Sequence, residues 1–77
     1  MSKEAIAFSK NLHELLNTKP DDFSISRGRI ADFSHTFGIS YNTAYRVLSG
    51  LSMPNAKLLC RIAKFFEIEV EDLVGDE

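Results

Sequence analysis

The stretch Phe33 to Gly50, FSHTFGISYNTAYRVLSG, limits the fold more than any other, because it reads as two short helices held at an angle by one glycine. Ile30, Phe33 and Phe37 recur at helical intervals, which puts three apolar side chains on one face. Gly38 follows, where a chain leaving a helix turns into the left-handed region that glycine enters without strain. Ile39 plugs the turn, and Ser40 offers a hydroxyl to cap the next helix, in which Ala44, Val47 and Leu48 repeat at helical spacing. The expected unit is helix, turn, helix, over about 27–50.

The second of these helices has two unlike faces. Ala44, Val47 and Leu48 form a narrow inward stripe, and Asn42, Arg46 and Ser49 lie opposite, flanked by Thr43 and Tyr45, with Tyr41 at the boundary. Asn and Arg match the major-groove edges of adenine and guanine bidentately, and here they are one turn apart. A solvated surface would explain one such pair. Solvated helices, however, favour Glu, Lys and Ala, whereas Tyr, Asn, Thr and Ser are middling or poor helix formers, so their concentration on this face points to contact.

With Phe33, Ser34, Phe37, Gly38, Ile39, Ala44, Val47 and Gly50 in place, the stretch resembles the Cro and phage-repressor class of helix-turn-helix proteins, the Xre family. The likeness continues through Pro54, then Leu58, Leu59, Ile62 and Ala63, then Val70 to Leu73, roughly residues 27 to 74. The downstream Gly, Pro and two further helices in order make it more specific than a lone helix-turn-helix pattern. The resemblance implies an all-α, lambda-repressor-like bundle of about five short helices forming a single DNA-binding domain over residues 1–77. One departure stands out. The family often has a polar residue, commonly Gln, at the start of the second helix, where it touches phosphate, and position 30 is Ile. Arg27 and Arg29 are the candidates for that contact instead, at a helix end whose free amides favour anions. A second register, with Ile30 and Ala31 as the family's apolar and Ala pair, would lengthen this helix; the run Phe37, Gly38, Ile39 favours the first.

Seventy-seven residues make one small domain, and 44% apolar with 26% charged residues is an ordinary globular composition. No run is long enough for a membrane span, and the N-terminal residues lack the apolar core of a signal peptide, so a cytoplasmic protein is expected. Cys60 is the single cysteine, and it and the two histidines lack metal-ligand spacing, so neither metal nor cofactor is expected. The net charge of −2 is unusual for a nucleic-acid partner, but its distribution is uneven. From Arg27 to Lys64 six basic residues face one acid, Asp32, for a net +5, while three Lys and ten acids elsewhere give −7. A duplex feels the local field, because charges beyond a Debye length of ~8–10 Å are largely screened.

A first helix is expected over residues 3–17, with Ala5, Phe8, Leu12, Leu15 and Leu16 on one face and Ile6 off it, either exposed or in a subunit contact. Phe23 and Ile25 are expected to tuck into the core from the following loop. The second helix is expected over Arg27 to Phe37, with Ser26 as its cap. After Gly50, Asn55 is placed to cap a fourth helix with Leu58, Leu59, Ile62, Ala63 and Phe66 buried, and Lys57, Arg61 and Lys64 on its other side. Arg61 and Lys64 fit a solvated face as well as a phosphate contact, while Cys60 reads as a surface thiol. A short last helix is expected around Val70 to Val74 within the acidic end, 67–77.

The expected function is sequence-specific binding of double-stranded DNA by a transcriptional regulator, a repressor acting as a homodimer on an inverted repeat. Asn42, Arg46, Tyr41, Thr43 and Tyr45 are the candidate base contacts, and Arg27, Arg29, Ser49, Asn55 and Lys57 the backbone contacts. Family resemblance alone suggests Ile6, Val70, Leu73 and Val74 for the dimer interface. The alternative on the same fold is a protein-interaction module, such as an antitoxin that binds a toxin, or a partner of another regulator. Catalysis is not expected, since the acids are scattered and the histidines lie on different helices.

Overall fold

Each helix forms where apolar residues recur at three and four and a local signal stops the chain. The computed structural model describes residues 3–23 and 28–74. Over them the chain is five helices, α1 (Lys3–Leu16), α2 (Arg29–Phe37), α3 (Tyr41–Leu48), α4 (Ala56–Phe66) and α5 (Val70–Val74), with no strand. The expected all-α bundle is therefore observed. α2 starts two residues later than expected, because Gly28 adopts φ 111°, ψ 76°, outside the helical region. Ser26, the expected cap, lies outside the described residues together with Ile25 and Arg27.

Three helices end the same way. Gly38, Gly50 and Glu67 adopt positive φ (63°, 76° and 58°), and the amide of the residue after each bonds back to a carbonyl in the last turn: Ile39 to Ser34, Leu51 to Arg46, Ile68 to Ala63. This geometry satisfies carbonyls that a helix end otherwise leaves open. Glu67 takes a conformation that costs an L-residue energy and a glycine none.

The core gathers Phe8, Leu12 and Leu16 of α1, Phe33 and Phe37 of α2, Ala44, Val47 and Leu48 of α3, Leu58, Ile62 and Ala63 of α4, and Leu73 of α5. Phe23 reaches it from the loop after α1 and is fully buried, with its ring against those of Phe33, Phe65 and Phe66. Phe33 and Phe37 of α2 are buried, Ser34 is half-buried, and Ala31 is exposed. Phe65, assigned to neither face from sequence, is part of this ring cluster, with its outer side open and Lys19 Nζ 5.6 Å from the ring centre.

One expectation about assembly is corrected here. Leu73 is fully buried in its own chain, since α5 packs on α1 and α4, and it has no surface to offer a second copy. Val70 is half-buried against the same core, whereas Ile6 and Val74 are exposed.

Candidate nucleic-acid interface

Ser40 starts α3 in two ways. Its Oγ accepts from the Thr43 amide at 3.1 Å and donates to Thr43 Oγ1 at 2.9 Å, so the Thr43 hydroxyl keeps its own proton for an outside acceptor. Ala44, Val47 and Leu48 are buried, and Asn42, Thr43, Tyr45, Arg46 and Ser49 are exposed, as is Tyr41 at 60%. The face expected to meet a partner is the solvent face, and its eight residues span about 12 Å, close to the width of a major groove.

The far end of α3 is fastened from behind. The Leu48 carbonyl accepts from Ser9 Oγ at 2.8 Å and His13 Nε2 at 2.9 Å, both on α1. The other ring nitrogen, Nδ1, lies 3.0 Å from Arg29 Nη1. A guanidinium can only donate, so Nδ1 accepts and the ring proton sits on Nε2. Arg29 Nη2 donates to Asn17 Oδ1 at 2.7 Å and to the Phe23 carbonyl at 3.0 Å. This network ties α1, α2, α3 and the loop to one another. Its ligating groups are spread over 40 positions of sequence, from Ser9 to Leu48, which is why local patterns did not reveal it.

Arg29 therefore corrects the reading of it as a phosphate contact. It is 8% exposed, its guanidinium is spent on His13, Asn17 and Phe23, and burial lowers its pKa from the ordinary value. The other proposed backbone contacts fare differently. Asn55 caps α4 through Oδ1, which accepts from the Leu58 amide at 2.8 Å, so its amide NH₂ stays available to a phosphate. Lys57 and Ser49 are exposed, and Arg27 lies outside the described residues.

α4 packs against α2 and α5, and a cleft of about 550 Å³ opens between it and α3. Arg46, Lys57 and Arg61 line the cleft together with the polar Ser40, Thr43 and Asn55, and no acidic side chain does. The structure thus brings four expected contacts, Thr43, Arg46, Asn55 and Lys57, to one place and adds Arg61. The signal for Arg61 was its spacing from Lys57, one turn along α4. Tyr41 lies away from this cleft, beside Ile30 and Arg29.

No three His, Cys, Asp or Glu side chains converge to hold a metal, and no helix is long and apolar enough to cross a membrane, among the described residues. In comparisons with known proteins, no family model, no curated protein and no solved structure matches the chain.

Proposed function

We propose that this chain is a sequence-specific double-stranded DNA-binding protein, a transcriptional repressor that works as a homodimer on an inverted repeat. The observation that carries the reading is the disposition of α3. Its apolar stripe is buried, its carbonyl end is held by two hydrogen bonds, and Asn42 and Arg46 stand exposed one turn apart within the basic stretch of the chain. Side chains on a rigid helix hold the geometry that bidentate base recognition needs. Size supports the dimer. The longest extent of the chain is 31 Å and it offers one such helix, so two copies are needed for half-sites ~34 Å apart.

Selection of bound sites from a random duplex library tests the whole reading, with a palindromic consensus as the expected result. Arg46→Ala should weaken the selected site by about 1–3 kcal/mol and leave a scrambled duplex nearly unaffected. Equal loss on both would reject Arg46 as a base reader.

A second reading keeps the fold and gives it a protein partner, such as a toxin or another regulator. Tyr41 and Tyr45, 60% and 45% exposed, favour it, because exposed tyrosines are common anchors of protein interfaces. A gel shift at low salt against the promoter of the chain's own operon separates the two. Absence of any bound species would leave the interaction reading.

A further inference from the structure

The cleft between α3 and α4 holds a concentration of charge that the monomer leaves unused. Arg46, Lys57 and Arg61 all line it, and none of their side chains makes a hydrogen bond or ion pair with any described residue. Arg29 shows the contrast, since its guanidinium is consumed by three partners inside the fold. Like charges that share one concavity repel, and an anion bound between them would relieve that repulsion. Arg61 is also well placed to meet such an anion. Its Nη2 lies 4.0 Å from where a β-carbon on Gly38 would stand, which sets the guanidinium over the turn between α2 and α3, near the α3 N-terminus. The Thr43 hydroxyl proton and the Asn55 NH₂ add donors on the same walls.

We infer that Arg61 and Lys57 clamp one backbone phosphate of the bound duplex in this cleft, while Arg46, on the same wall as Thr43, reads the neighbouring base. The inference rests on the DNA-binding function proposed above and assigns Arg61 a contact that sequence left open between phosphate and solvent. It separates Arg61 from Lys64, which share one side of α4, since Lys64 is exposed but does not line the cleft.

The test is the salt dependence of affinity for the selected duplex, measured for wild type, Arg61→Gln, Arg61→Lys and Lys64→Gln. Loss of one phosphate contact from each of the two protomers should reduce the slope of log K against log salt by about 1.8, so a fourfold rise in salt costs Arg61→Gln roughly tenfold less affinity than it costs wild type. Arg61→Lys should keep the wild-type slope, and so should Lys64→Gln, which removes the same charge elsewhere. The exposed Arg61 side chain makes no hydrogen bond or ion pair among the described residues, so its replacement leaves the domain folded. A wild-type slope in Arg61→Gln, or equal flattening in Lys64→Gln, overturns the clamp while DNA binding stands. Failure of the wild-type chain to bind any duplex at low salt overturns both. Inorganic phosphate added at constant ionic strength should not displace the duplex, and saturable displacement would assign the cleft to a free anion instead.

Discussion

At the scale of single residues, Arg29 shows how burial changes what a charged side chain is for. The charge lies in a half-dry site and is kept there by acceptors: His13 Nδ1, Asn17 Oδ1 and the Phe23 carbonyl. Removing the guanidinium strands these acceptors, each at about 1–3 kcal/mol where water cannot reach. Arg29→Met should therefore lower the unfolding free energy by about 2–4 kcal/mol in urea titrations while the salt slope of DNA binding stays that of wild type. A reduced slope with unchanged stability would restore the phosphate role. From sequence, Arg29 looked like any exposed cation at a helix start, because its partners sit on another helix and a loop. Leu73 was misjudged for the same reason: only the docking of α5 on α1 and α4 shows that it has no outer surface.

At the scale of helices, local chemistry decided more. Ser40 and Asn55 cap α3 and α4 as their hydroxyl and amide predicted, and Gly38 and Gly50 take the left-handed turns that follow α2 and α3. These signals were legible because cap and turn geometry depends on residues three or four apart. The start of α2 was not, since Gly28 can continue a helix or leave it, and here it leaves. Glu67 ends α4 where glycine would fit without strain, at φ 58°. Glu67→Gly should stabilise the domain by about 0.5–1 kcal/mol, the relief of a left-handed L-residue less the added freedom of the unfolded chain. Thermal unfolding should then shift upward by roughly 2–6 °C. A fall in Tm would mean that the Glu67 side chain contributes a stabilising contact of its own.

At the scale of the molecule, the uneven charge and the small size bear on assembly. The basic stretch includes the α3–α4 cleft, while the described acids of the C-terminal end, Glu67, Glu69, Glu71 and Asp72, are exposed on or before α5, which packs on α1 and α4. In the proposed complex of two copies on one duplex, half-site spacing would be a measurable property of the dimer. Inserting about five base pairs, half a helical turn, between the selected half-sites should abolish cooperative binding of two protomers in sedimentation titrations, leaving each half-site to bind one protomer with the weaker affinity of an isolated half-site. Undiminished binding of two copies would show that they act independently. The polarity of α3 and the placement of the cations were visible in the chain order, but the cleft was not, because it depends on α4 packing on α2 and α5.

The Leu48 carbonyl has one more consequence. Because Ser9 and His13 hold the end of α3 from behind, the letters it would spell out on a duplex, on the function proposed above, answer to α1 as well as to the outward residues. A lineage drifting toward a new operator need not alter Asn42 or Arg46 at all. Substitutions on the hidden side of the bundle would re-aim them, and a genetic selection for changed site preference would draw some of its winners from there.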